Sequence, residues 1–196
     1  MESSEVRKEL GMTYPELVEY LLDKYGPAKG DYFCNESCKT KNKAISRTSE
    51  GLQCHHIDED KAIMLSTPSF ALLNTYEYQR ADRLVYGNVL EHLMLHIKII
   101  ETPRHPLANP LELPGVGGAV NYLCPQINDY YNGYQFKHQF LIDWYKVIAN
   151  NFEDYIEILK HFLEIAKVDC YDHIVNRESL SRGTNGQIVE RVFTRL

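Results

Sequence analysis

Four histidines stand out by their spacing. His55 and His56 are adjacent in GLQCHHIDED, residues 51–60, and His92 and His96 lie four apart in VLEHLMLHIKII, residues 89–100. Residues four apart on a helix project from one face, so His92 and His96 can meet a single metal ion. Neighbours on a strand point to opposite faces, so one member of the 55–56 pair can join them while the other takes a different task. Three imidazoles around a divalent cation leave positions for a water or a phosphate oxygen, as a hydrolytic site requires. The fourth imidazole, with a pKa near the working pH, suits a general base.

The elements that must position these side chains are a strand, a second strand and a helix. Gly51–Ile57 reads as a strand, and Arg83–Tyr86 as a second short one. Residues 89–100 have the length and apolar density of a buried helix, stopped by Thr102-Pro103. Upstream, Thr13-Tyr-Pro-Glu16 predicts a capping box opening an amphipathic helix that Gly26 ends. Residues 26–50 read as loop with one short strand near Ala44–Arg47. The stretch 58–81 lacks periodicity apart from a helical turn at Lys61–Leu65. Residues 103–118, with four prolines and LPGVGG, are a turn region without the Gly-Lys-Ser/Thr ending of a phosphate loop. Downstream, apolar spacing predicts helices around 119–131, 137–149 and 152–167, and the last twenty residues suggest a Gly-rich break and a short helix. The fold class expected is α+β, mostly helical: a single domain over 1–196, with the histidine-bearing core at 44–100 and helical flanks at 1–43 and 101–196.

The 196 residues suffice to bury a core. With 44% hydrophobic residues and no run of eighteen apolar ones, the chain is expected to have no membrane span. Its charged N-terminus, MESSEVRKEL, lacks the apolar heart of a signal peptide, which predicts a cytoplasmic location. Five cysteines in dissimilar contexts do not form a disulfide framework, and Cys34 and Cys38 alone could not complete a structural zinc site. A net charge of −6 argues against coating nucleic acid indiscriminately. Locally, however, Lys39, Lys41, Lys43 and Arg47 lie just upstream of the histidine pair with no acid among them, a candidate phosphate-binding stretch; Thr48 could assist Arg47. Arg177, Arg182, Arg191 and Arg195 add charge near the C-terminus.

The order His55-His56, second strand, then a helix bearing His92 and His96 resembles the ββα-metal fold of HNH endonucleases, over residues 51–96. The resemblance implies that His55, His92 and His96 hold a divalent metal (Mg, Mn, Ni or Zn), and that His56 is the general base. It implies DNA as the substrate, a bacterial or phage source, and a two-fold dimer where both strands of a palindrome are cut. In that family a residue nine positions before the first helical histidine, usually Asn, braces the base-bearing loop. Here that position is Arg83, which could hydrogen-bond the loop carbonyls or contact the scissile phosphate. Asp82 or Asn88 could take the bracing role instead. Glu91 is a candidate to orient a ligand's other nitrogen, and Asp58, Glu59 and Asp60 make an acidic turn. The alternative reading is a catalytically inactive metal-binding module for nucleic acid or protein. A zinc hydrolase of the HExxH type does not fit, because His92-Leu-Met-Leu-His96 has no internal Glu.

Overall fold

Thr13 caps the first long helix as its sequence requires. Its hydroxyl accepts from the Glu16 amide while its own amide donates to the Glu16 carboxylate at 2.8 Å, and Pro15 occupies the first turn. The computed structural model describes residues 3–102, 114–131 and 133–175. Helix α1 (Ser3–Leu10) precedes this helix, α2 (Tyr14–Tyr25), whose buried face carries Tyr14, Leu17, Val18 and Leu21. Strand β1 (Gln53–His56) pairs antiparallel with β2 (Leu84–Gly87), with His55 opposite Val85 and His56 opposite Leu84. Between them lie a 3₁₀ turn at Ile57–Asp60, the short helix α3 (Pro68–Ala71) and 3₁₀ turns at Tyr76–Gln79 and Ala81–Arg83. Helix α4 (Val89–Glu101) starts two residues after β2 ends. It is followed by α5 (Val116–Gly118), a π turn at Ala119–Leu123, α6 (Cys124–Tyr131), α7 (Gln139–Lys146) and α8 (Phe152–Val175). The fold is therefore α+β and mostly helical, with one two-stranded sheet among the described residues.

The sheet has two different faces. Val85 joins the main core, made by α1, α2, α4, α6, α7 and α8, while Leu84 and Tyr86 pack on a second cluster with Ala28, Ile45 and Leu52. Period-two alternation thus delivers His55 toward α4 and His56 toward the opposite side. Helix α4 is the hub, with Val89, Leu90, Leu93, Met94, Leu95 and Ile97 all buried and with α2, α5, α8 and both strands packed on it. A helix apolar on nearly every side is a central one, which is why its two imidazoles end up inside the molecule.

Several boundaries differ from the sequence expectation. Residues 44–47 are no strand: the Asn42 side chain accepts from the Ala44 amide at 3.0 Å and starts a 3₁₀ turn at Lys43–Ile45. The turn foreseen at Lys61–Leu65 falls earlier, at Ile57–Asp60, and Met64 adopts a left-handed φ of 58°. The second strand begins at Leu84 because Arg83 closes the preceding 3₁₀ turn. The helix expected at 119–131 opens with a π turn, the one at 137–149 is confined to Gln139–Lys146, and the one at 152–167 runs on to Val175. Residues 103–113, the C-terminal helix and Arg177, Arg182, Arg191 and Arg195 lie outside the described residues. Among the described residues no helix is long and apolar enough to cross a membrane.

Gly51 sets the approach to β1. It sits at φ 77°, and a Cβ there would lie 2.4 Å from Cγ1 of Val147 at the end of α7, where Trp144 also donates to the Leu52 carbonyl at 3.0 Å. Gly51→Ala is expected to lower stability by about 1–3 kcal/mol, from left-handed backbone strain and the displaced Val147. Urea denaturation measures this, and an unchanged midpoint would refute the packing argument.

Candidate metal centre

The three imidazoles of His55, His92 and His96 form a nearly equilateral cluster. Their ring centroids are each 5.0 Å from the other two, and one nitrogen from each lies within 4.8 Å of the others. His92 and His96 stack at 27°, as helical neighbours one turn apart, and His55 meets both edge-on. Among the described residues this is the only group of three or more His, Cys, Asp or Glu side chains gathered within ligand reach. Cys34, exposed, and Cys38, buried, are free thiols outside it.

The hydrogen bonds fix which nitrogens are available. Tyr14, held at the start of α2 by the capping box, donates its hydroxyl proton to the Ile57 carbonyl at 2.8 Å. Its oxygen can then only accept from His55 Nε2, at 3.1 Å, which leaves the His55 Nδ1 lone pair free. The Gln53 carbonyl oxygen accepts a hydrogen bond from His92 Nδ1–H at 2.5 Å, which leaves the lone pair on Nε2. Anchoring one ring nitrogen while exposing the other is how proteins orient imidazole ligands. His55 Nδ1 and His96 Nδ1 are buried with no partner, an unfavourable state for a nitrogen lone pair that a cation at the centre of the cluster relieves for His55. Gly118 of α5 passes directly over His96, where a Cβ would fall 2.2–2.6 Å from three ring atoms. The donor set therefore fits a divalent ion such as zinc, manganese or nickel.

His56 lies on the other face of β1 and is held differently. Gln79, fully buried, donates its amide to the Leu65 carbonyl at 3.2 Å and presents its carbonyl oxygen to His56 Nε2 at 2.9 Å. His56 consequently carries its proton on Nε2 and keeps its lone pair on Nδ1. The Tyr32 ring covers it at 4.4 Å, and Lys41 donates to the Tyr32 hydroxyl at 2.9 Å. The side chain bonded to this histidine is Gln79, while Arg83 holds Asp58 in the turn that follows it. No sequence signal marks Gln79, because it lies in an aperiodic stretch and reaches His56 through the 3₁₀ turn at Tyr76–Gln79.

The remaining candidates occupy other positions. The Arg83 guanidinium grips the Asp58 carboxylate with two bonds, at 2.6 and 2.5 Å, and Lys61 adds a third at 2.6 Å. Asn88 caps α4, accepting from the Leu90 and Glu91 amides. Glu91 does not touch a ligand; it returns to the Asn88 amide and binds Lys24 and Tyr25. Lys39 and Lys43 are exposed. Arg47 is paired with Glu50 and the Tyr25 carbonyl, so only Lys41 of the basic stretch is built into the surroundings of His56. His138 stacks on Phe140 and His161 binds Glu101, both away from the cluster.

Burial keeps all four histidines neutral. His55 and His92 are pushed well below the ordinary imidazole range by burial and by neighbouring imidazoles, and His56 and His96 fall to about 4, again chiefly through burial. Burial also pushes the Glu59 carboxyl up to about 8. Asp58 feels the same burial, but its bonds to Arg83 and Lys61 hold it below the usual carboxylate range.

No protein-family model, curated protein or solved structure matches the chain.

These shifts set the sign of the pH dependence. Below the unfolded imidazole pKa of 6.5, the unfolded chain takes up four protons that the folded metal-free protein refuses until about pH 4 or lower. Glu9 and Glu59, both raised to about 8, act in the opposite direction but are only two. Metal-free protein should therefore be less stable at pH 5 than at pH 6.5 in urea titrations, and a higher midpoint at pH 5 would contradict it. A cation at a hundred times its Kd should add about 2.7 kcal/mol, removed again by chelation.

Proposed function

We propose that the chain is a metal-dependent endonuclease of the ββα-metal type, hydrolysing phosphodiester bonds in DNA. The observation that carries this reading is the division of the adjacent pair, with His55 turned to His92 and His96 and His56 held on the other face by Gln79. The two faces meet at the end of the strand. One Glu59 oxygen lies 3.7 Å from His55 Nδ1 and 3.6 Å from His96 Nε2, and the other lies 3.9 Å from His56 Nδ1. The base nitrogen and the His55 and His96 nitrogens are therefore within the span of one carboxylate.

A divalent cation on His55, His92 and His96 would supply Lewis-acid stabilisation of charge developing on the phosphate and the leaving oxygen. The chain's own residues do the rest. Gln79 holds the protonated Nε2 of His56, so Nδ1 is the atom that takes a proton from the attacking water. Burial keeps that imidazole unprotonated near neutrality, so it is in its basic form. Tyr14 and Gln53 keep the ligand rings in register. Lys41, next to Tyr32, would contact the backbone phosphate, while Arg83, engaged with Asp58, acts on the loop that carries Glu59.

A second reading, an inactive metal-binding interaction module, is favoured by the burial of His56, which is only 1% exposed. Nicking of supercoiled plasmid in magnesium, manganese, nickel and zinc separates the two. His56→Ala should keep metal binding and lose about 10²–10⁴-fold in rate. Undiminished cleavage by that variant would remove His56 as the base, and bound metal without nicking in any of the four ions would favour the module.

A further inference from the structure

The acidic turn after β1 treats its first two carboxylates very differently. Asp58 takes both nearby cations, Arg83 and Lys61. Glu59, with a side chain only 14% exposed, has no Lys or Arg within ion-pair distance among the described residues; its charged-group neighbours are His55, His56 and His96. The 3₁₀ turn at Ile57–Asp60 folds it back over the strand end, which brings a residue four positions on to within 3.7 Å of His55 Nδ1. That nitrogen is the one Tyr14 leaves free, and it is buried without a hydrogen-bond partner.

The distances to two of the three histidines, His55 and His96, are those of shared coordination. Donor atoms on one four-coordinate zinc with bonds of about 2.0–2.2 Å stand roughly 3.3–3.6 Å apart. Glu59 Oε2 lies 3.7 Å from His55 Nδ1 and 3.6 Å from His96 Nε2, too far for hydrogen bonds and close to the separation of two donors sharing an ion. A carboxylate buried among neutral imidazoles is costly unless a cation joins it.

We propose that Glu59 is a fourth protein ligand of the metal centre, binding through Oε2 to complete a set of three histidines and one carboxylate. The proposal rests on the assignment of His55, His92 and His96 as ligands. It makes zinc a nearly closed occupant of the site, whereas manganese or nickel, which accept more donors, keep positions for water and phosphate.

The test is direct titration of the purified full chain with Zn²⁺ against a chromophoric chelator, and with Co²⁺ by visible absorption. Wild-type protein should bind one ion with the intense bands of four-coordinate cobalt. Glu59→Gln, similar in size and uncharged, should bind more than 100-fold more weakly, beyond the 10–100-fold typical of an outer partner, and shift those bands. Glu59→Asp, which keeps the carboxylate on a shorter arm, should retain part of the affinity and guard against a folding defect in the Gln variant. Tight one-to-one binding by Glu59→Gln with an unaltered cobalt spectrum would overturn the role of Glu59 while leaving the three-histidine centre standing. Failure of the wild-type chain to bind either ion would overturn the centre itself, and Glu59 with it.

Discussion

The geometry of the centre depends on the junction where β2 passes into α4. Only Asn88 separates the two elements, and it is locked on both sides: its side chain accepts from the first amides of the helix, and its own amide donates to Glu91 at 2.7 Å. The same Glu91 carboxylate accepts from Lys24 and Tyr25 at the end of α2. One buried acid therefore ties the strand pair, the hub helix and the flanking helix together. Since β1 is paired to β2 residue by residue, His55 is placed relative to His92 by a chain of hydrogen bonds with little freedom in it.

That rigidity explains why four imidazoles can be packed so closely. Each ring placed in the interior must stay neutral, and each needs its polar atoms satisfied. Tyr14, Gln53 and Gln79 meet one nitrogen apiece, and all three are neutral groups, so the site gains orientation without gaining charge. The positive charges are kept at the margin. Lys61 and Arg83 are engaged by Asp58, Lys24 by Glu5 and Glu91, and Arg47 by Glu50. A cation entering the cluster thus meets lone pairs and one carboxylate, with no competing ammonium or guanidinium paired to that carboxylate among the described residues.

Periodicity is the part of the site that the sequence makes legible. The i,i+4 histidines on an apolar helix and the alternation of His55 and His56 are geometric consequences of 3.6-residue and 2-residue repeats, and the structure brings the three ligand candidates together as those repeats require. The capping box at Thr13 obeys the same logic, whereas Asn88, offered by the sequence as a candidate brace, caps α4 in the structure. Gln79, Tyr14 and Gln53 are not legible in this way. Each contacts its histidine across 23 to 41 positions, Gln79 from a 3₁₀ turn, Tyr14 from a helix start and Gln53 from β1 to α4, and no local pattern encodes such a contact. Arg83 is singled out in the sequence only by the family resemblance, and its partner, Asp58, emerges when the turn at Ile57–Asp60 is folded.

The long aperiodic stretch between the strands takes on a physical purpose once its contacts are traced. A tight hairpin would join two four-residue strands with a few residues, yet here 27 residues separate His56 from Leu84. Those residues supply Glu59 at the strand end, the Leu65 carbonyl and Gln79 that hold His56, and the Asp58–Arg83 clamp that closes the segment on itself. Residue 83 therefore has a different meaning in the folded segment. The side chain at that position secures the base of the loop, and the amide that holds His56 comes from Gln79. Holding His56 and closing the loop are thus done by two residues, Gln79 and Arg83.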